Sequence, residues 1–400
     1  MTFISLKKRP TTALFSLFFL FLGWGASLQA GPKEEIQQLV QEGAVLLADE
    51  KGQILFSIHP DRFFVPASIV KILTAQIALE EKGPDARFHT EIYQKGHRLW
   101  IKGGGDPFLV SEEIQAIAVK LKARGIVKVT KLGLDANLIP AKLVIPGIHR
   151  SSNPYDALNG ALVVNFNSLF VGRDKKGRLY SAEPQTPLTP LGRLRGQHMR
   201  RGQEERINLT MDQAESLGYS GELFLAIFKK EGIDTSHAQL EFGATPKDYQ
   251  LVERHANSKP LTEVLIGLLR YSNNFIANQI LLSLDDSPPW EMESALGRYQ
   301  VKAKQILGDR QGGAHFAEAS GISRKNRVTA RQMLVILEAF RPYESLLSEK
   351  HGSPVKSGTL TGVYNYAGYI RSPKGLRPVV ILLSQRRNHR DRILKLLQQL

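Results

Sequence analysis

From Pro66 to Lys82 the chain reads P-A-S-I-V-K-I-L-T-A-Q-I-A-L-E-E-K. The apolar residues Ile69, Val70, Ile72, Leu73, Ile77 and Leu79 wrap nearly the whole circumference of the helix this pattern predicts. A helix without a polar face must be enclosed by other elements, which requires a layered domain with a large core. Four hundred residues, 42% hydrophobic and 23% charged, supply that core and leave room for a second domain. Two polar groups interrupt the helix at its head, Ser68 and, three residues on, Lys71.

Upstream, Lys7, Lys8 and Arg9 precede an apolar run from Ala13 to Trp24 and a small or polar stretch from Gly25 to Gly31, the pattern of a signal peptide over residues 1–30. The run is short for a membrane span, so export with cleavage is expected rather than a retained anchor. Cleavage after Ala30 puts Leu28 at minus three, where a small residue is usual; cleavage after Ser27 puts Gly25 there. The expected location is the periplasm or the cell-wall side of the cytoplasmic membrane. Absence of cysteine removes disulfides, thiol nucleophiles, thiolate metal sites and lipid attachment through a lipobox.

After the leader, A-V-L-L-A-D-E-K-G-Q-I-L-F-S-I predicts a hairpin turning at Asp49 to Gly52. Beyond Gly83-Pro84 the texture changes to K-G-G-G-D-P at Lys102, a helical stretch from Ser111 to Arg124 and short strands such as V-K-V-T-K-L-G-L-D, a separate α/β unit. The stretch from Gly172 to Arg206 is basic and weakly patterned, and reads as a loop excursion or mobile surface element. Helical periodicity returns over Leu261 to Arg270 and Phe275 to Leu284, broken by S-N-N at Ser272 to Asn274. Three strand-like runs, V-K-S-G-T-L, V-Y-N-Y-A-G-Y-I and P-V-V-I-L-L-S, and a helix from Arg392 to Leu400 close the chain.

S-x-x-K alone says little, because it occurs three times, at Ser5, Ser68 and Ser353. Only the Ser68 copy has helical spacing, which puts serine and lysine on one face at a helix head, where the macrodipole favours a developing alkoxide. A desolvated lysine has a lowered pKa and can take the serine proton. The bland alternative is a serine near a helix start with Lys71 snorkelling to solvent. S-x-N occurs at Ser151 and Ser272, and only the second lies at a break between apolar helices. K-[ST]-G occurs once, at Lys356 to Gly358; on a strand Lys356 and Gly358 share one face, so the bare glycine lets a substrate backbone lie close.

The order S-x-x-K, S-x-N, K-[ST]-G is that of penicillin-binding proteins and class A β-lactamases. Further runs narrow the likeness: K-G-G-G-D-P at Lys102, N-P-Y-D-A-L-N-G-A-L-V-V-N-F-N at Asn153, S-G-I-S-R-K-N-R-V-T at Ser320 and K-S-G-T-L-T-G-V at Lys356. With its long interval between Ser68 and Ser272, the chain resembles the D-alanyl-D-alanine carboxypeptidase/endopeptidase family of low-molecular-mass penicillin-binding proteins, which carry a large insertion after S-x-x-K. The resemblance implies an α/β (α+β) fold: a β-lactamase/transpeptidase-like domain, an antiparallel sheet flanked by helices, formed by residues 31–83 and 255–400 and interrupted by an accessory insert at 84–254.

It also implies roles. Ser68 would be the nucleophile, Lys71 its base and Ser272 a proton relay to the leaving group. Asn274 would bind the substrate amide, Lys356 would polarise the site, Ser357 and Thr359 would bind the terminal carboxylate, and the backbone N–H groups of Ser68 and Thr359 would form the oxyanion hole. The implied partners are peptidoglycan stem peptides as substrates and β-lactams as covalent inhibitors. Ser357 replaces the commoner threonine, Glu318-Ala319 stands where the family more often has Asp-Gly, and the insert looks short, so that the basic stretch would be what remains of a second subdomain.

Net charge is +15, or +12 without the leader's three basic residues. Nucleic acid would suit such a charge. For an exported chain the abundant polyanions are lipid head groups and wall polymers, so no nucleic-acid partner is expected; the charge fits peripheral association with membrane or wall polyanions, or a solvated basic surface. Ten histidines show no H-E-x-x-H spacing or close pair suited to zinc, and the Gly103–Gly105 run lacks the Gly-Lys-Ser/Thr of a nucleotide loop and reads as a tight turn. No metal and no cofactor are expected. The rival readings are a β-lactamase and a non-catalytic wall-binding protein on the same fold.

Overall fold

The structure, a computed structural model, describes residues 31–400, so the signal-peptide expectation for residues 1–30 lies outside it. Helix α1 (Pro32–Leu39) leads into the hairpin β1 (Gly43–Ala48) and β2 (Ile54–Ile58). Asp49 closes its turn by accepting from the backbone N–H groups of Lys51 and Gln53. Every residue of β1 is buried; Ala44, Leu46 and Ala48 face one core and Val45 and Leu47 the other, the alternation of a strand covered on both sides. The helix expected from Pro66 opens as a 3-10 turn, Ala67–Val70, and becomes α-helical as α2 (Lys71–Lys82). That tighter turn eclipses residues three apart and so stacks Lys71 over Ser68.

The next segment forms β3 (His89–Lys95), β4 (Arg98–Gly103), α3 (Ser111–Ala123), β5 (Lys131–Asp135), β6 (Ser168–Arg173), β7 (Leu179–Ser181), α4 (Pro190–Gly196), β8 (Glu204–Asn208), α5 (Gln213–Lys230), β9 (Gln239–Phe242) and β10 (Gln250–Ala256). Five strands form a sheet in the order β10-β3-β4-β5-β9, which packs with α3 and α5 around its own core of Ile101, Ile117, Leu134 and Phe224. In place of a loop, the basic stretch is mostly ordered structure: β7, β6 and β8 form a small sheet with α4 beside it. Its apolar residues Leu179, Leu188 and Leu191 dock singly onto the core that holds Leu169 and Val171, too sparsely spaced to read as a period. The Gly103–Gly105 run does not form the tight turn expected of it: Gly103 ends β4, Gly104 and Gly105 continue as irregular backbone, and Gly105 has φ +68 with the Trp290 ring where a Cβ would stand.

The chain then returns with α6 (Leu261–Tyr271), α7 (Asn274–Leu282), α8 (Met292–Leu307), α9 (Ala330–Phe340), β11 (Glu349–Lys350), β12 (Ser353–Leu360), β13 (Val363–Ser372), β14 (Gly375–Leu383) and α10 (Arg390–Leu397). Strands from both ends of the described chain make one antiparallel sheet in the order β11-β12-β13-β14-β1-β2, with Gly43 opposite Leu383. Helices α2 and α6 to α9 cover one face and α1 and α10 the other. This is the helix-flanked antiparallel sheet the sequence implies. Helix α2 lies in the middle of the larger core, where Ile72, Leu73 and Ile77 are fully buried; each such side chain contributes about 1.5–3 kcal/mol.

Candidate active site

Three elements meet at one cleft: the 3-10 turn before α2, the break between α6 and α7, and β12. The cleft has a volume of about 940 Å³, and Ser68, Ser272, Asn274, Ser357 and Thr359 all line it. Lys71 and Lys356 lie beneath its floor, 0% and 3% exposed. All seven residues singled out in the sequence therefore belong to one constellation.

Lys71 Nζ meets three oxygens, Ser68 Oγ at 3.1 Å, Asn274 Oδ1 at 2.8 Å and the Ser320 carbonyl at 2.5 Å. Two of these can only accept. A neutral amine has two N–H groups and one lone pair; Asn274 and Ser320 consume the first two, which leaves the lone pair towards the Ser68 hydroxyl. Burial drives Lys71 well below the usual lysine range, the nearby Lys356 charge pushes the same way, and buried Glu318 opposes them. The geometry is that of a proton acceptor for Ser68.

Ser272 caps α6 in the left-handed conformation, φ 54°, a strained state for a residue with a side chain. It ends one helix while Asn273, accepting from the Ile276 N–H, caps the next. Ser272 Oγ accepts from Lys356 Nζ at 3.0 Å, and Lys356 also donates to the Ser357 carbonyl. Burial, then the charges of Arg390 and Lys350, bring Lys356 down to about 7. Asn274 is turned partly inward: its oxygen holds Lys71 and its Nδ2 donates to the Tyr155 carbonyl, leaving one N–H for a ligand.

Gly358 serves a different neighbour from the one expected. A Cβ there would stand 2.7 Å from the Pro66 carbonyl and 3.1 Å from Ser68 N, so its bareness lets the Ser68 turn, rather than a substrate backbone, press against β12. Among the described residues, β11 pairs with Ser353 and Pro354 of β12 and the Val355 N–H donates to the Ser348 carbonyl, so that β12 has no strand partner on this side from Lys356 onward.

One support was invisible in the motifs. Glu318, fully buried, accepts from the backbone N–H groups of Ser320, Gly321 and Ser323, from Ser320 Oγ and from Asn326 Nδ2. Five donors satisfy both carboxyl oxygens of this buried side chain, and they fix the loop whose Ser320 carbonyl grips Lys71. The only trace in the sequence is Glu318 itself, at the head of S-G-I-S-R-K-N.

The chain matches the D-Ala-D-Ala carboxypeptidase 3 (S13) family over residues 33–182 and 193–355. It belongs to that family. The matched range holds Ser68, Lys71, Ser272 and Asn274 and stops one residue before Lys356. Among its relatives are a D-alanyl-D-alanine carboxypeptidase of Actinomadura sp., 25% identical with 83% of this chain and 76% of that protein covered, and the carboxypeptidase DacB of Haemophilus influenzae, 23% identical with 81% of each covered. The crystal structure of penicillin binding protein 4 from H. influenzae shares the fold, with a TM-score of 0.70 at 18% identity over 91% of this chain and 97% of that one. A structure of the same H. influenzae protein complexed with a β-lactam aligns at TM-score 0.65, 19% identity and the same coverage. The expected family, fold class and enzyme class, a serine-type D-Ala-D-Ala carboxypeptidase, are thereby met at the level of the family.

Proposed function

We propose that this chain is an exported D-Ala-D-Ala carboxypeptidase/endopeptidase that hydrolyses peptidoglycan stem peptides through an acyl-enzyme on Ser68 and is acylated there by β-lactams. The observation that carries this is the side-chain amine of Lys71, stripped of solvent and 3.1 Å from Ser68 Oγ. Ser68 Oγ attacks the carbonyl between two D-alanines as its proton passes to Lys71. The N–H groups of Ser68 and Thr359 receive the oxyanion. The intermediate collapses as the leaving amine gains a proton through Ser272, which is held by Lys356. Water then attacks the ester and releases the shortened stem peptide with Ser68 restored.

Asn274 presents its remaining N–H to the peptide, and Ser357 and Thr359 face the terminal carboxylate. Residues 31–83 and 255–400 form the catalytic domain in this reading, and 84–254 the insert. Family membership and the bound β-lactam of the H. influenzae structure support the reading, and the leader pattern over residues 1–30 supports export.

Incubation with a fluorescent penicillin tests it: the wild type is expected to carry one stable label and Ser68→Ala none, both being folded. Equal labelling of the two would remove Ser68 from the mechanism, and rapid turnover of the label would favour the β-lactamase reading. Products from a pentapeptide and from a cross-linked dimer then separate carboxypeptidase from endopeptidase action.

A further inference from the structure

Arg390 opens α10, far along the chain from every catalytic motif, yet its side chain ends at β12. Nη1 donates to Thr359 Oγ1 at 2.7 Å and to the Gly358 carbonyl at 3.3 Å, and the guanidinium lies 4.7 Å from the centre of the Tyr366 ring. Among the described residues no carboxylate pairs with it. The adjacent Asp391 is engaged elsewhere, accepting from Tyr366 Oη at 2.8 Å and meeting His351 Nε2 at 3.0 Å. A guanidinium without a direct ion pair is thus held, by an aromatic face and a helix start, behind the outer end of the cleft.

The hydrogen bond to Thr359 has a direction. Because Thr359 Oγ1 accepts from the guanidinium, its own O–H is free to donate elsewhere, and Thr359 is an exposed residue lining the cleft. A hydroxyl polarised from behind by a cation is a stronger donor, and it suits an anion. A carboxylate bound by it would sit one hydroxyl away from the guanidinium, about 5 Å, close enough for a substantial attraction where water is partly excluded. A C-terminal amide could still accept from the Thr359 hydroxyl but would lack the attraction between charges.

We propose that Arg390 is a positioning residue that, through the Thr359 hydroxyl, gives the enzyme its preference for substrates whose leaving residue bears a free carboxylate. This rests on the proposed function of the cleft. The test compares a pentapeptide ending in D-Ala-D-Ala with its C-terminal amide. Wild type is expected to favour the acid, and Arg390→Gln to lower the acid-to-amide ratio of kcat/KM about tenfold, chiefly through a raised KM for the acid. Arg390→Lys, which keeps the charge, is expected to retain most of the preference.

Fluorescent penicillin separates the two levels. Label on Ser68 in wild type and Arg390→Gln alike, with an unchanged acid-to-amide ratio, overturns the role of Arg390 alone. No label on folded wild type overturns the cleft's function, and this proposal with it. Should Arg390→Gln fail to fold, Arg390→Met, which keeps the aliphatic stem beside Tyr366, carries the test: the same tenfold fall supports the relay, and an unchanged ratio overturns it.

Discussion

The cleft has a helical wall and a strand wall, and each buries a lysine. On the helical wall Lys71 is enclosed by α2, by Asn274 at the head of α7 and by the Ser320 loop, with three oxygens around its nitrogen. On the strand wall Lys356 has one hydroxyl and one carbonyl, with Arg390 and Lys350 as its charged neighbours. Burial lowers both, but to different ends. Lys71 falls well below the usual lysine range, whereas Lys356 comes to rest at about 7, where a small change in its surroundings changes its charge. Desolvation lowers the lysine on each wall, with three oxygens around the one and two around the other.

Breaking the helical wall should have the largest effect. Lys71→Met is expected to slow acylation by a fluorescent penicillin about 10⁴-fold, and Lys71→Arg to be no better, since guanidinium does not give up its proton. A Lys71→Arg enzyme labelled at the wild-type rate would refute the base assignment.

Lys356→Met sharpens the contrast, because activity and stability should move in opposite directions. Acylation is expected to drop about 100-fold. The folded pKa of Lys356 lies below that of the unfolded chain, so between the two the unfolded state binds more protons and stability rises with pH. The penalty of the buried charge is therefore fully present below pH 7 and relieved as pH climbs towards the ordinary lysine value. Thermal melts should show Lys356→Met more stable than wild type at pH 6, with a clearly smaller gain at pH 9; a pH-independent difference would contradict the charged state inferred for Lys356.

The smallest effect on rate belongs to the loop behind Lys71. Glu318→Ala strands five donors, so a stability loss of about 3 kcal/mol and roughly tenfold slower acylation are expected, measured by melting and by labelling. Undiminished stability would mean that water replaces the carboxylate without cost.

How much of this was legible beforehand follows from the same chemistry. Ser68, Lys71, Ser272, Asn274 and Lys356 meet at the cleft through side chains at fixed spacings on or beside regular elements, and such residues leave a trace in the linear sequence. The Ser320 carbonyl leaves none, since every residue has one. Glu318 could be noted as an unusual residue but not understood until its donors were assembled around it, and Arg390 reaches β12 only because α10 folds back over the sheet. The small sheet of β6, β7 and β8 was missed because its few apolar contacts are scattered among arginines such as Arg178 and Arg206, whose ion pairs with Asp174 and Glu183 keep them on the surface.

The pairing of β1 with β14 bears on how the protein is made. A chain emerging from the ribosome N-terminus first presents Ser68 and Lys71 early, as a greasy helix head with nothing to pack against. The strand bearing Lys356, and β14 which ties that strand's neighbour to β1, arrive only after some three hundred further residues. Until then neither Ser68 nor Lys71 has a second wall, so the proposed site is completed only by the last strands to be synthesised.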